Sequence, residues 1–187
     1  MAKVDLSKYD NSWYKPGPLP KRLLWIIFGR VFVNTYLPIP MVVKRFILRI
    51  FGAKLGKGVV LKPKINIKYP WFLEIGGQTW IGEMVWIDNL GLVKIGSNAC
   101  ISQGVLLLSG NHDYKSFKFD LMVDKIVIGD GVWIGAKSIV TQAVSCGNHA
   151  VLGSGSFLSQ NLPENEIWSG NPAKFQRIRE ISSAKSH

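Results

Sequence analysis

The middle of the chain carries a hydrophobic repeat with a period of six residues. Aliphatic side chains return at every sixth position from Leu55 onward, and the residue after each one is often Gly. The clearest pairs are Leu55-Gly56, Ile75-Gly76, Ile81-Gly82, Ile95-Gly96, Ile128-Gly129, Ile134-Gly135 and Leu152-Gly153. A period of six matches neither the 3.6-residue period of a helix nor the strict alternation of a half-buried strand. It predicts a coil in which each hexapeptide supplies one short strand and one corner.

The spacing of these aliphatic residues also predicts where the coil is irregular. Two separations are eight residues instead of six: Ile67 to Ile75 and Ile87 to Ile95. Three hexapeptides close one turn, so both extensions fall at the same corner of successive turns. We therefore expect a ridge along one edge of a three-sided prism.

The longest interruption of the repeat follows Leu107, because the next aliphatic residue in phase is Ile128. Residues at about 109–125 are therefore predicted to leave the coil as an inserted loop. The repeat as a whole covers 55–162 and predicts one mainly β domain of stacked coils, each contacting mainly its neighbours.

Residues 1–54 have a different pattern and form a separate N-terminal extension. Two apolar stretches, 23–28 and 31–43, are interrupted by polar residues and by Pro38 and Pro40. Neither stretch reaches the roughly 20 apolar residues that a membrane-spanning helix needs. They predict two short helices separated by the proline-containing break.

The formal net charge of +11 is concentrated in this extension. Residues 1–54 carry ten Lys and Arg against two Asp, residues 55–70 add four Lys and no acid, and the remainder sums to −1. Basic and aliphatic residues alternate and no nucleic-acid motif is present, so a nucleic-acid partner is not expected. The segment either caps the first coil or contacts an anionic membrane surface, with Trp25 and Phe28 adding apolar area.

Cysteine usage and the N-terminus indicate the compartment. Cys100 and Cys146 are isolated from each other and form no disulfide framework, which favours buried thiols in a reducing environment. The chain is polar up to Pro20 and has no signal-peptide pattern. We expect a cytoplasmic protein. If it contacts a membrane, the surface would be the inner face of the cell membrane.

The predicted loop contains the best candidate for acid–base chemistry, His112, within Ser109-Gly110-Asn111-His112-Asp113. The other two histidines are His149, at a corner of its hexapeptide, and His187, near the end of the chain. A neutral imidazole can take a proton from an attacking hydroxyl near pH 7. Functional residues concentrate in loops that a rigid scaffold positions.

A histidine base also needs a carboxylate or a carbonyl that holds its second ring nitrogen and so fixes the tautomer. Asp113 is one candidate, although adjacent side chains need not meet. Glu83 or Asp88 could serve instead from a neighbouring coil.

The hexapeptides, the Asn-His-Asp loop and the segment from Trp133 to Lys174 resemble the hexapeptide-repeat acyltransferases. Together with the basic apolar N-terminal part, they are similar to the O-acetyltransferases of bacterial exopolysaccharide and colanic acid biosynthesis. This resemblance implies a mainly β fold, a left-handed parallel β-helix with an N-terminal helical segment and a short C-terminal helix. It also implies a homotrimer that moves an acetyl group from acetyl-CoA to the hydroxyl of a sugar or glycan, including a lipid-linked one.

The resemblance also implies roles for particular residues. His112 and Asp113 are the expected catalytic residues, and Asp88, Asn89 and Asn111 are expected to bind the sugar. The residues expected to contact acetyl-CoA are Trp133, Gly135, Ala136, Ser154, Ser159, Lys174 and Arg177. The last two belong to a C-terminal segment, 163–187, that contacts the cofactor.

Three alternatives stay open at this point. The acceptor could be the amine of an amino sugar or a serine-type molecule, or the β-helix could be a non-catalytic scaffold. The same coil also builds carbonic anhydrases, which need three histidines around zinc. Apart from the terminal His187, the chain has only His112 and His149, which lie far apart in the repeat, so we expect no metal.

Overall fold

The computed structural model describes residues 3–182, and the chain folds as a three-sided parallel β-helix. Each turn passes from sheet A to sheet B to sheet C. Sheet A contains β1 (Lys54–Leu55), β4 (Leu73–Ile75), β7 (Val93–Ile95), β12 (Ile126–Ile128) and β15 (Ser145–Cys146). Sheet B contains β2 (Val60–Leu61), β5 (Trp80–Ile81), β8 (Cys100–Ile101), β13 (Trp133–Ile134), β16 (Val151–Leu152), β18 (Glu166–Gly170) and β19 (Ala173–Ile178). Sheet C contains β3 (Asn66–Ile67), β6 (Trp86–Asp88), β9 (Leu106–Leu108), β14 (Ile139–Thr141) and β17 (Phe157–Leu158). The β-helix predicted from the hexapeptides is confirmed.

The inward-pointing aliphatic residues of the repeat form the core. Ile81 pairs with Ile101 across neighbouring strands of sheet B, and Ile87 pairs with Leu107 in sheet C. All four side chains are completely buried. Each fully buried aliphatic side chain contributes about 1.5–3 kcal/mol relative to an exposed one, so the columns of aliphatic residues hold successive coils in register.

The corner where sheet C passes into sheet A, here called the insertion corner, carries all three irregularities of the repeat. A 3₁₀ turn, Pro70–Phe72, occupies the first eight-residue spacing, and residues 89–92 occupy the second. The residues between β9 and β12 leave the coil as an antiparallel hairpin of β10 (Gly110–His112) and β11 (Leu121–Val123). The predicted ridge and inserted loop are therefore present.

The N-terminal extension forms two short helices, as the apolar stretches predicted. Helix α1 (Leu19–Phe28) runs into a π-helical turn, Gly29–Val33, and helix α2 (Met41–Ile50) begins directly after Pro40. Both helices place a proline at or just before the first turn, where the missing N–H costs no hydrogen bond. A 3₁₀ turn, Leu6–Lys8, precedes them.

The two helices cover the open end of the first coil. Leu48 of α2 is completely buried in the same core cluster as the aliphatic residues of the β-helix. The Trp25 indole donates a hydrogen bond of 2.8 Å to the Ile67 carbonyl, and its ring lies 5.2 Å from that of Phe51. Only 4% of Trp25 is exposed, so the expectation that this residue adds apolar area to a membrane contact is wrong.

The outer face of α1 is apolar and exposed. The exposed side chains are Leu19, Leu23, Leu24, Ile26, Ile27 and Phe28. Within residues 3–182, none of the helices combines the length and the apolar character needed to cross a membrane.

The C-terminal part differs from the prediction, because residues 166–178 form a hairpin and not a short helix. Strand β18 continues sheet B beside β16, and β19 folds back antiparallel on β18. The last coil leaves β18 at a sheet edge with unpaired backbone groups. Pairing with β19 satisfies them, whereas a helix would not. Residues 183–187, which form the end of the predicted C-terminal segment and include His187, lie outside the described residues.

Candidate active site

His112 is held by its own hairpin. Its Nδ1 lies 3.0 Å from the backbone carbonyl oxygen of Phe119, and its ring stacks on the Phe119 ring at 4.4 Å with an interplanar angle of 8°. A carbonyl oxygen can only accept, so in the neutral imidazole Nδ1 carries the proton. The lone pair is then on Nε2, which leaves that nitrogen able to accept a proton.

The orienting partner of His112 is therefore a backbone carbonyl. Among the candidate carboxylates, Asp113 accepts a hydrogen bond of 2.9 Å from the Lys115 backbone N–H. Asp88 forms an ion pair of 2.9 Å with Lys68. Glu83 follows β5 at the corner between sheets B and C, which is a different corner from that of the hairpin.

The N-terminal segment before α1 also contacts this hairpin. The Tyr9 ring lies 5.6 Å from the His112 ring, and the Asp5 backbone N–H donates a 2.9 Å hydrogen bond to the Phe117 carbonyl. Sequence reasoning assigned no role to these residues. The available signal was the unusual occurrence of Tyr9, Trp13 and Tyr14 in an otherwise polar segment.

Tyr14 attaches the same segment to the insertion corner. Its hydroxyl donates a 2.7 Å hydrogen bond to the Leu90 carbonyl. Burial raises the pKa of the Tyr14 phenol, and the nearby Tyr69 and Asp88 raise it further. The phenol therefore stays protonated near neutral pH and acts as a hydrogen-bond donor beside Asp88.

The residues expected to bind sugar have different surroundings. Asp88 is half-buried at the insertion corner, and Asn111 is exposed, with its side-chain oxygen accepting a 2.8 Å hydrogen bond from the His112 backbone N–H. Asn89 is 0% exposed, and its amide donates to the Tyr69 carbonyl while accepting from the Tyr69 N–H. The prediction that Asn89 contacts a sugar is wrong, because its side chain ties together two adjacent coils.

Small residues are stacked at the corner between sheets B and C. Gly135 and Ser154 follow β13 and β16, and the Gly155 N–H donates a 2.8 Å hydrogen bond to the Ala136 carbonyl. A Cβ on Gly135 would lie 2.5 Å from the Ser154 nitrogen, so only glycine allows the two coils to approach this closely. The result is a narrow surface of backbone with few side chains, where Gly135 is buried and Ser154 exposed.

Trp133 borders this surface on β13. Its indole N–H donates a 2.9 Å hydrogen bond to the Ser102 hydroxyl on the neighbouring coil, which fixes the ring. The side chain is nevertheless 47% exposed. An exposed aromatic ring in a fixed position provides an apolar wall for a ligand.

Lys174 and Arg177 lie on β19 and are exposed. Strand β19 is three places from β13 in sheet B, which is about 14 Å at the usual spacing of strands. The neighbouring Arg179 donates hydrogen bonds to the carbonyls of Gly131 and His149, and so attaches the end of the hairpin to the coils. Ser159 is exposed but follows β17 of sheet C, away from the corner of Gly135.

Across residues 3–182, no group of three or more His, Cys, Asp or Glu side chains is arranged to hold a metal ion. Both cysteines are free thiols, Cys100 half-buried and Cys146 buried. Burial raises the pKa of the Cys146 thiol to about 12, so this side chain behaves as a small hydrophobic residue and not as a nucleophile.

Comparison with known proteins identifies the class. None of the protein-family models that were compared matches the chain. The chain is 37% identical over 161 residues to the protein assigned as the colanic acid biosynthesis acetyltransferase WcaF of Escherichia coli K12, an alignment that covers 84% of this chain and 86% of WcaF.

Two solved structures show the same fold. A maltose O-acetyltransferase from Clostridium difficile 630 superimposes with a TM-score of 0.80 at 22% identity, covering 97% of this chain and 100% of that one. A hexapeptide-repeat acetyltransferase from Vibrio cholerae, in complex with acetyl coenzyme A, superimposes with a TM-score of 0.79 at 20% identity, covering 87% and 88%. The chain belongs to the hexapeptide-repeat acetyltransferases, as its repeat indicated.

Proposed function

We propose that the protein transfers an acetyl group from acetyl-CoA to a sugar hydroxyl in the biosynthesis of a bacterial surface polysaccharide, with His112 as general base. The observation that carries the proposal is the contact between His112 Nδ1 and the Phe119 carbonyl, because it leaves Nε2 free to accept a proton. Similarity to the acetyltransferase of colanic acid biosynthesis supports the pathway.

In this mechanism Nε2 of His112 removes the proton of the acceptor hydroxyl as its oxygen attacks the thioester carbonyl carbon. The tetrahedral intermediate collapses with cleavage of the carbon–sulfur bond. The imidazolium then returns the proton to the departing thiolate, so that CoA leaves as the thiol and His112 is neutral again. Phe119 and Tyr9 hold the ring in place throughout.

The surface between sheets B and C is the proposed binding site for acetyl-CoA. Backbone groups near Ala136 and Ser154 can bond the two amides of the pantetheine arm, since the residues at this corner have small side chains. Trp133 would pack against the arm. Lys174 and Arg177 would meet the phosphates further along sheet B, and Ser159 stays a proposed contact. Binding of acetyl-CoA by the Vibrio cholerae structure supports this assignment.

Asp88 and Asn111 are the proposed acceptor ligands, since their polar groups lie on or beside the hairpin of His112. Asp113, the residue next to the base, stays a proposed catalytic residue. An acceptor screen tests the function most directly: sugars, amino sugars and serine are offered with acetyl-CoA, and mass spectrometry identifies the product. Acetylation of an amine would favour the N-acetyltransferase alternative. No release of free CoA thiol with any acceptor would favour the non-catalytic scaffold.

A second copy of the chain is needed to complete this site. His112 belongs to the insertion corner, whereas Gly135 and Ser154 belong to the corner between sheets B and C, and sheet C separates the two corners within one chain. In addition, Trp80, Met84 and Trp86 are exposed around the latter corner. A homotrimer would cover these apolar side chains and bring the two corners of different subunits together.

Light scattering is expected to give a mass of three times the 20.9 kDa of one chain. Trp86→Asp should lower both the mass and the activity, because it places a charge in the proposed interface. Val42→Asp, which changes an exposed residue of α2, is the matched control and should leave the mass unchanged. A fully active monomer would contradict the proposal.

We also propose that the N-terminal extension brings the enzyme to the inner face of the membrane without crossing it. The exposed apolar face of α1 lies within the basic N-terminal third of the chain. Phe28 belongs to this face, whereas Trp25 is buried and does not. Each basic side chain near an anionic surface contributes about 1 kcal/mol. Salt screens such contacts over about 10 Å at 0.1 M.

Co-sedimentation with anionic vesicles is therefore expected to be strong at low salt and to weaken as salt rises, with little binding to neutral vesicles. Equal binding to neutral and anionic vesicles would indicate insertion of apolar side chains alone. Absence of binding to either would leave residues 20–51 as a cap on the first coil.

A further inference from the structure

A cavity of about 430 Å³ lies between α1 and the first coil of the β-helix. Its walls combine apolar side chains, including Leu23 and Ile26, with the basic side chains of Arg22, Arg30 and Lys68. None of the described residues that line it is acidic. A ligand that fits these walls carries negative charge and hydrocarbon in the same molecule.

Arg22 is the residue that most requires such a ligand. Its Nε is buried and has no hydrogen-bond partner. Within residues 3–182 the side-chain ion pairs are Lys54–Glu74 and Lys68–Asp88, so no carboxylate neutralises Arg22 or Arg30. A buried guanidinium donor without an acceptor is unfavourable, and phosphate oxygens match its geometry well. Arg22 also lines a neighbouring cavity of about 450 Å³ beside Tyr14 and Lys15.

The cavity is connected to the proposed catalytic centre by sheet C. Lys68 follows β3, Asp88 ends β6 and Leu108 ends β9, directly before the hairpin of His112. Asp88 and Leu108 are Cα partners, and Lys68 contacts Asp88 at 2.9 Å. Lys68 is therefore two strand spacings, or about 10 Å, from the base of the hairpin.

The apolar wall of the cavity continues into the exposed face of α1. Leu19, Leu23 and Ile26 line the cavity and are each more than 50% exposed. A free phosphate or a sugar nucleotide would gain nothing from these side chains. A lipid phosphate would bury its hydrocarbon chain against them while the basic residues neutralise its head group.

We propose that this cavity binds the phosphate or diphosphate group of a lipid-linked acceptor, with Arg22 and Arg30 as its ligands. The hydrocarbon chain lies along the outer face of α1, and the glycan attached to the phosphate extends along sheet C toward His112. The proposal rests on the proposed function, because it names the carrier on which the sugar acceptor is presented.

Binding is tested by flotation with phosphatidylcholine vesicles that contain a few per cent of a polyprenyl diphosphate. Parallel vesicles contain the uncharged polyprenol or phosphatidylglycerol at equal charge. The salt concentration is set so that phosphatidylglycerol vesicles no longer retain the protein. We expect retention by the polyprenyl diphosphate alone, and competition by inorganic pyrophosphate at higher concentration.

The double variant Arg22→Gln/Arg30→Gln should weaken this binding about tenfold or more, because both are charge-assisted contacts. The matched control, Lys57→Gln/Lys94→Gln, removes two exposed positive charges elsewhere on the coils and should change binding by less than about twofold. Equal retention by polyprenol and its diphosphate, or equal losses in the two double variants, would overturn the proposal.

A second measurement separates this inference from the proposed function. Transfer of acetyl to a small water-soluble acceptor should be unchanged in Arg22→Gln/Arg30→Gln, whereas transfer to a lipid-linked acceptor should fall with the binding. Loss of both activities with intact folding would show that these arginines do not act through the lipid phosphate. No acetyl transfer by the unaltered protein, with diphosphate binding retained, would reject the enzyme mechanism and keep the binding site.

Discussion

Replacing His112 with Ala is expected to lower kcat about a hundredfold or more while leaving the Kd for acetyl-CoA almost unchanged. General base catalysis contributes roughly 10²–10⁴ to the rate. In the proposed mechanism the imidazole acts on the proton of the acceptor and does not meet the CoA phosphates, which are assigned to Lys174 and Arg177 on β19, so ground-state binding of the cofactor should depend little on it. Steady-state kinetics with a soluble acceptor and calorimetric titration of acetyl-CoA measure the two quantities separately.

His149→Asn is the matched control for this experiment. His149 is exposed at a corner, with a positive φ of 57° that asparagine tolerates well. This variant should have the kcat of the unaltered protein. If His112→Ala instead binds acetyl-CoA poorly and retains normal turnover, the assignment of His112 as general base is wrong.

Replacing Asn89 with Leu is expected to lower the free energy of unfolding by about 2–5 kcal/mol. Leucine has a similar volume but leaves the partly buried N–H and carbonyl of Tyr69 without the partners that Asn89 provides at 3.0 and 2.6 Å. Each buried polar group without a partner costs about 1–3 kcal/mol. Urea denaturation measures the loss.

Asp88→Asn serves as the neighbouring control, because it removes only the partly exposed ion pair with Lys68. Pairs of this kind contribute about 0–1 kcal/mol. Unchanged stability of Asn89→Leu, combined with a higher KM for the acceptor, would restore Asn89 as a sugar ligand and contradict its structural role.

The repeat made most of the fold predictable. A buried aliphatic residue at every sixth position is a local signal, and the same signal recurs in each coil, so the sheets and the core follow from the spacing alone. The two eight-residue separations located the ridge, and the gap after Leu107 located the hairpin of His112. Each of these depends on residues near one another in the chain.

The surroundings of the site depend on contacts between residues far apart in the chain or on backbone groups, and neither has a sequence signature. The partner of His112 Nδ1 is the carbonyl of Phe119, and every residue has a carbonyl. Tyr9 reaches His112 from more than 100 positions away. The polar side chain of Asn89 suggested a sugar ligand, yet its burial and its hydrogen bonds to Tyr69 give it a structural role.

At both ends of the β-helix, some features were predictable from nearby residues and others depended on tertiary packing. The apolar stretches and prolines of the N-terminal extension were sufficient to predict two short helices, because proline constrains the backbone locally. The packing of α1 against β3 decided which side of the helix is buried. The same packing leaves the cavity beside Arg22. At the C-terminus, the open edge of sheet B determined that residues 173–178 form a strand, since only a paired strand satisfies the backbone groups of β18. The sequence by itself thus determined the coil, its core and the position of the catalytic candidate, whereas tertiary packing decided which polar groups are free to act.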